Sequence, residues 1–354
     1  MNTVPSPRVA VVVLNYNSWE DTRECLGSVL SQRYPDLSLL VVDNGSRGGE
    51  AEKIDCWLEG AYGAREELTG EGGGEYRAFA YWDARRGGEG GDFRPGRAFL
   101  LASRENRGFA RGNNMAIEFA RDRLAPEFFM LLNNDVVLGP DCLLRLVDFA
   151  VRTSGAGSAQ PRILSKGKEG VIDSLGQAVF SSGRARDIGQ GERDPGEVGA
   201  IEVFGTCAAA ALYRADAMRE AGLLDERFFI TLEDVDLAWR LRLCGYSAWC
   251  VTAAVAYHGR GITGSRRVWE GIDPIRSYHK NKNHLLLALK YHPVGSLLRY
   301  LHLNLFRFTA ALVAGVCLGC IFPCALKGIM RERADLARRY VNMGSVRKRW
   351  LARG

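Results

Sequence analysis

Glu233, Asp234 and Asp236 stand together at the head of a run that reads as a helix to Cys244-Gly245-Tyr246, and the strand-like stretch after it ends at His258. Carboxylates and an imidazole gathered on one edge of a sheet suit metal-assisted group transfer. The metal neutralises a leaving group and a carboxylate takes a proton from the attacking group. A further carboxylate, Asp135, ends the apolar run Phe129-Met130-Leu131-Leu132 through Asn133-Asn134. Magnesium and manganese are often held by only one or two protein carboxylates, with phosphate oxygens and water completing the shell. Each of these residues also has a plainer reading, since Asn-Asn-Asp suits a turn and acids suit a first helical turn.

The elements that must position them alternate. Val9 to Leu14 runs apolar into Asn15-Tyr16-Asn17, and Leu39 to Val42 runs into Asp43-Asn44-Gly45-Ser46. Continuous apolar runs of this length fit strands of a parallel sheet buried on both faces, with their polar ends at the carboxyl edge. Ligands of open α/β sheets bind at that edge. Ala98–Ser103 and Phe128–Leu132 read as further strands. Gly108–Arg121, Cys142–Val151 and Asp234–Cys244 read as helices. The fold class is therefore α/β, a doubly wound, mostly parallel, Rossmann-like sheet. Short strands are expected near Val171 and Ala178, a loop over Ser181–Gly199, and a buried strand in Thr206–Tyr213.

Between residues 48 and 97 the composition shifts to Gly, Glu and Arg, as expected of a flexible insertion with some helix around Ile54–Leu58. Residues 265–354 form a helical tail with an uncharged segment, 308–326, and a basic end containing Arg331, Arg333, Arg338, Arg339, Arg347, Lys348, Arg349 and Arg353. The segment's length is marginal for a membrane span. A span would also set the basic end opposite the catalytic part, so an interfacial or re-entrant helix pair with the amphipathic Leu297–Phe306 fits better. The tail is thus expected to bind a membrane surface.

With 354 residues and 47% hydrophobic content the chain can bury a large core, which excludes general disorder. The net charge of +6 comes with no base-reading motif, so nucleic acid is not an expected partner. Nine scattered cysteines suit a reduced, cytosolic protein. Cys317, Cys320 and Cys324 share a helical face, where they read as small packing residues. Met1–Pro7 lacks the pattern of a signal peptide. The expected location is cytoplasmic, on the inner face of the cell membrane.

Taken in order, Asn15-Tyr16-Asn17, Val42-Asp43-Asn44-Gly45-Ser46, Asn106-Arg107-Gly108-Phe109-Ala110-Arg111-Gly112-Asn113-Asn114, Leu132-Asn133-Asn134-Asp135, Gly222-Leu223-Leu224-Asp225-Glu226-Arg227-Phe228-Phe229 and Glu233-Asp234-Val235-Asp236-Leu237 carry a resemblance. Over residues of about 8–264 the chain resembles the family 2 glycosyltransferases of the GT-A fold, in their rhamnosyltransferase-like and galactofuranosyltransferase-like branch. The resemblance implies a catalytic domain over 1–264 and an inverting transfer from a uridine- or deoxythymidine-diphosphate sugar, rhamnose or galactofuranose among them. The acceptor is then a lipid-linked or polysaccharide glycan of the cell envelope. It implies Asp234 as general base, with Glu233 and Asp236 as competitors. Asp135 and His258 become ligands of Mn2+ or Mg2+, the imidazole favouring manganese.

On the same resemblance Asp43 accepts from a nucleobase N–H. Asn15, Asn17, Asn133 and Asn134 line the donor pocket. Gly108 and Gly112 let the backbone approach the diphosphate, with Asn106 and Asn113 as donors and Arg107 and Arg111 able to pair with phosphate. Rival readings are a sugar nucleotidyltransferase, which would carry a basic Gly-rich loop where Asn15-Tyr16-Asn17-Ser18-Trp19 stands, and a membrane-bound, non-catalytic adaptor. Homo-oligomerisation stays open.

Overall fold

The computed structural model describes residues 6–69, 71–83, 97–260, 274–318 and 343–352. Its elements, in order, are β1 (Val9–Asn15), α1 (Trp19–Leu30), β2 (Leu37–Asp43), α2 (Glu50–Tyr62), β3 (Gly63–Leu68), β4 (Tyr76–Asp83), β5 (Ala98–Ser103), α3 (Gly108–Leu124), β6 (Phe128–Asn133), β7 (Val136–Leu138) and α4 (Cys142–Arg152). There follow β8 (Ala156–Ser165), β9 (Ile172–Ser174), β10 (Gln177–Phe180), β11 (Ala185–Asp187), β12 (Ala200–Val203), β13 (Ala210–Arg214), α5 (Ala215–Ala221), α6 (Glu233–Leu243) and β14 (Ser247–His258). The tail adds α7 (Pro274–Tyr291), α8 (Val294–Arg299), α9 (Leu301–Leu318), α10 (Met343–Trp350) and β15 (Leu351–Ala352).

One twelve-stranded sheet runs β12-β14-β8-β13-β6-β1-β2-β5-β4-β3, with β7 on β14 and β9 on β8. Its centre, β6-β1-β2-β5, is parallel, and both flanks turn antiparallel. The centre is parallel because every residue of β1 is buried, so helices must cover both faces. Val9, Val11, Val13, Leu39 and Val41 meet α1, α2 and α4 on one face. Ala10, Val12, Leu14, Leu40 and Val42 meet α3, α5 and α6 on the other. The register sets Asn15 beside Asp43 and Leu14 beside Asn133, so the polar ends of three strands lie on one edge.

The expectation of a flexible insertion over 48–97 is corrected for its described part. Residues 50–83 form α2 and a β3–β4 hairpin that extends the sheet from β5. Tyr76–Asp83 alternates, with Phe79 and Tyr81 on the α2 face and Ala78 and Ala80 on the other, and that alternation holds it in the sheet. The charges that suggested mobility blunt the edge strand and pair across it, Arg65 with Asp55 and Arg77 with Glu67. The Gly-rich Arg85–Gly91 lies outside the described residues, as do most of the basic tail and residues 319–326 of the uncharged segment.

Two parts of the tail are built into the catalytic body. Leu286, Leu287 and Tyr291 of α7 bury Trp239 and Phe228, and the Tyr291 ring stacks on Trp239 at 5.0 Å. From α10, Trp350 packs on Phe204 and under the Arg242 guanidinium at 4.3 Å, while β15 pairs with β10. Among the described residues no helix is long and apolar enough to cross a membrane.

Candidate active site

Asp135 follows β6 and His258 ends β14, and the β7–β14 pairing that sets Val136 opposite His258 brings them together. His258 Nε2 stands 3.1 Å from Asp135 Oδ1, while Nδ1 is 2.7 Å from Asp173 Oδ2. Two neighbouring ligands of an octahedral ion with bonds of about 2.1 Å stand about 3 Å apart, so the pair has the spacing to share one divalent cation. Asp173 behind the ring fixes which nitrogen faces Asp135, the outer-shell arrangement usual for metal-bound histidine. Asp173 is in turn held by Arg260, which also reaches Asp187 at 3.1 Å. Burial lowers the pKa of His258, but hydrogen bonds to Asp135 and Asp173 outweigh it and raise the value to about 9. Among the described residues no group of three or more His, Cys, Asp or Glu side chains forms a complete cation cage. The remaining ligands would have to come from phosphate and water.

Asp234 lies in the first turn of α6, where the helix dipole favours a negative charge. Its Oδ2 accepts from Gln177 Nε2 at 2.7 Å and from the Ala208 N–H at 3.1 Å, and its Oδ1 accepts from the Val235 N–H at 2.8 Å. β10, the approach to β13 and α6 therefore aim one carboxylate together. Burial pushes the Asp234 pKa up to about 6, with the Ala208 N–H offsetting part of the rise and the Asp187 charge adding to it. Glu233 is buried too and its carboxyl is raised further, by burial first and then by the Asp234 charge. A proton acceptor near neutrality beside a carboxyl that stays protonated is an arrangement found where acid–base chemistry is done.

Asp236 has a different place from the one its motif suggests. It is fully buried and accepts from Lys290 Nζ at 2.7 Å, Arg240 Nε at 2.8 Å and the Tyr291 hydroxyl at 2.7 Å. It anchors α6 to α7, and the helical period turns it away from Asp234.

At the donor edge, Asn15 Nδ2 lies 2.8 Å from Asp43 Oδ1, 3.1 Å from Ser46 Oγ and 3.0 Å from Glu50 Oε2. Asn15 thus positions Asp43, whose other oxygen takes the Ser46 N–H at 3.2 Å. Burial raises the pKa of Asp43, and its hydrogen bonds lower it in part. Asn134 donates to Thr22 Oγ1 and Asn17 Oδ1 accepts the Arg47 N–H, so both brace loops around the pocket. Asn133 Oδ1 is buried with no protein partner, which leaves it available to a ligand.

At the glycine-rich start of α3, expected to cradle a diphosphate, the first backbone donors are taken within the protein. The N–H groups of Phe109 and Ala110 are taken by the Phe229 carbonyl at 2.6 and 3.2 Å. A Cβ on Gly108 would meet the Phe229 ring at 2.5 Å, and one on Gly112 would meet Leu14 at 2.6 Å, so both glycines serve protein packing. Asn106 Oδ1 accepts from Asn44 and from the Gly108 N–H, and Asn113 donates back to the Phe109 carbonyl. Arg111 pairs with Glu75, Glu118 and Glu226, and Arg107 with Glu105. These residues are held largely by protein partners, while Arg107 Nε is buried with none.

Sequence reasoning missed Asp173, Asp187 and Gln177, which stand far from the motifs and touch them only through the fold, and Arg260, two residues after His258. It also missed Glu50, which receives the Ser18 N–H at 2.9 Å just ahead of α1 and touches the Asn15 amide. An acid seven residues after Asp43, at the start of a helical run, was the available signal.

A family model described as glycosyl transferase family 2 matches residues 10–80 and 91–222, more than half of the chain. A poly-β-1,6-N-acetyl-D-glucosamine synthase of Staphylococcus epidermidis is 24% identical over 241 residues, 67% of this chain and 46% of that protein. The chain thus spans about half the length of the curated relatives it matches. Of solved structures, GalNAc-T7 with UDP, GalNAc and Mn2+ is similar at a TM-score of 0.57 and 12% identity, covering 82% of this chain and 49% of that one. The mannosyltransferase PcManGT of Pyrobaculum calidifontis, in complex with GDP-Man and Mn2+, is similar at 0.52 and 16%, covering 98% and 88%. The sheet and its helices form the GT-A fold.

Proposed function

The chain belongs to glycosyl transferase family 2, and on that premise we propose that it is an inverting glycosyltransferase moving a sugar from a nucleoside diphosphate to an acceptor hydroxyl. The observation that carries the proposal is the convergence of Asp135 and His258, 3.1 Å apart, on a sheet edge shared with the buried carboxylate of Asp234. Asp135 and His258 would hold Mn2+ or Mg2+, which when bound neutralises charge on the departing diphosphate. Asp173 keeps the imidazole turned toward that position. Asp43 accepts from a nucleobase N–H, as uracil and thymine present. Asp234 takes the acceptor's proton as its oxygen attacks the anomeric carbon. A single displacement inverts that carbon and needs no enzymatic nucleophile.

Mn2+ in both solved neighbours supports the metal, and UDP in one and GDP-Man in the other keep the nucleotide to be measured. Motif likeness favours rhamnose or galactofuranose as the sugar, while the curated relatives are poly-β-1,6-N-acetyl-D-glucosamine synthases. The acceptor is a lipid-linked or polysaccharide glycan of the envelope. Thermal unfolding with UDP, dTDP and GDP, each with and without Mn2+, tests the donor site, because selective binding raises the midpoint. A Mn2+-dependent rise with UDP or dTDP is expected. No rise with any of the three, in folded protein, would remove the donor site as read here.

Membrane association is part of the same proposal. Val294, Leu298, Leu301, Leu305 and Phe308 are exposed at helical spacing along α8–α9, with Phe306 beside them. From Pro274 to Arg331 there is no Asp or Glu, whereas Arg299 and Arg307 flank the stripe. An exposed apolar stripe with cations and no acids suits an anionic bilayer surface, and two such faces would repel one another. Full-length protein should co-sediment with phosphatidylglycerol vesicles, and Leu301→Glu/Leu305→Glu should not. Equal sedimentation of both proteins would place the contact elsewhere.

A further inference from the structure

The segment before the Glu233-Asp234 motif has a backbone that side chains rarely adopt. Phe229, Thr231 and Leu232 have φ of 61°, 70° and 67°. None is glycine, and a β-branched residue such as Thr231 is especially disfavoured there. Left-handed residues this close together persist only when surrounding groups impose them. Leu232 is also the N-cap of α6 and makes no side-chain cap, so the first turn depends on this backbone for its direction.

The imposing group comes from α7. Asn283 is fully buried and its amide nitrogen lies 2.9 Å from the Phe228 carbonyl, 2.9 Å from that of Ile230 and 2.7 Å from that of Thr231. Three carbonyl acceptors require the NH2 end of the amide to face the loop. Lys282, the preceding residue, donates to the Arg227 carbonyl at 2.5 Å. One turn earlier His279 stacks on the Phe229 ring at 4.8 Å and 15°. Phe229 in turn gives its carbonyl to the first N–H groups of α3. The segment is thus tied on one side to α7 and on the other to the start of α3.

We propose that Asn283 is a positioning residue, a latch that keeps Phe229, Thr231 and Leu232 at positive φ and so aims Asp234 at the acceptor hydroxyl. The inference rests on the role of Asp234 given above. It separates two functions of the site, because the donor edge at Asn15, Asp43, Asp135 and His258 is built by other elements. Losing the latch should therefore spoil proton transfer and spare nucleotide binding.

The test uses the full chain, UDP with Mn2+ as binding probe, and turnover of whichever nucleotide sugar the wild type transfers. Asn283→Ala should lower kcat at saturating donor by about 10²-fold, the usual cost of a misplaced catalytic group, with UDP affinity within about threefold of wild type. Thr231→Gly added to Asn283→Ala should recover turnover by about fivefold or more, because glycine takes positive φ without a Cβ penalty. Asn283→Ser, which keeps one donor, gives the same readings if alanine lowers the folded fraction. Turnover near wild type in Asn283→Ala would overturn the latch. So would a parallel loss of kcat and UDP affinity that Thr231→Gly does not relieve, since Asn283 would then only support the fold. The Asp234→Asn control separates the premises. Normal turnover there fails the base reading itself, whereas its loss beside an active Asn283→Ala fails the latch alone.

Discussion

Asp234→Asn is expected to lower transfer by about 10²-fold or more while leaving UDP–Mn2+ binding unchanged, because it removes the proton acceptor and keeps the shape. The substitution keeps the size of the side chain and most of its contacts. Gln177 and the Ala208 N–H both point at Oδ2, so the amide oxygen of asparagine can occupy that place, and its NH2 then faces the Val235 N–H, which loses its acceptor. The pH profile supplies an independent reading. A base acts when deprotonated, and burial raises this carboxyl to about 6, so kcat of the wild type should fall as pH drops through about 6. An ordinary aspartate would hold activity to near pH 4. The variant should lose that acid limb and keep a low, flat residual rate. Turnover close to wild type would remove Asp234 as base and leave Glu233 as the next carboxyl to test.

Lys290→Met should have the largest effect on stability. Lys290 is fully buried, with Nζ 2.7 Å from Asp236 and 3.1 Å from Asp225. Breaking a buried pair by removing one partner leaves a buried charge uncompensated. The cost should be about 3 kcal/mol, the low end of the usual range, because Arg240 and Tyr291 still hold Asp236. A chain of 354 residues should then lose roughly 4 °C in Tm. Arg152→Met, which breaks an exposed pair with Asp148, should change Tm little and serves as control. Adding Asp236→Asn to Lys290→Met should restore part of the loss. A Tm within about 2 °C of wild type in Lys290→Met would mean that Asp236 does not depend on the lysine. The same network makes truncation after Lys290 a poor test of membrane binding, since it removes Tyr291 and Trp350 from the packing around α6.

The donor edge was legible because its strands are buried on both faces. Unbroken apolar runs in Val9–Leu14, Leu39–Val42 and Phe128–Leu132 announce parallel strands, and the first polar residue after each marks the edge where ligands bind. Asp135 and His258 could be read as partners only through resemblance, since 122 residues lie between positions 135 and 258. The fold then set them 3.1 Å apart through the β7–β14 pairing. The hairpin within 48–97 was misread because composition was weighed there and alternation was not. Gly and charged residues mark mobile segments and edge strands alike.

The motif residues around α3 teach the opposite lesson. Asn106, Gly108 and Asn113 are types that bind phosphate in other settings, yet here Asn106 Oδ1 accepts from Asn44 and from the Gly108 N–H, and Asn113 donates to the Phe109 carbonyl. Local spacing says which groups a residue owns. It cannot say whether another part of the chain has already taken them. The sequence by itself determined the α/β class, the parallel centre of the sheet and the edge where its polar strand ends gather, because these follow from periodicities of a few residues, whereas the choice among its acids came from resemblance. Tertiary structure alone decided that burial raises the Asp234 carboxyl while Asp236 is a buried anchor, that Asp173 backs His258, and that Asn283 bonds the segment ahead of Asp234. Each of those depends on burial and on partners from distant segments, and neither is a property of the residues nearby in the chain.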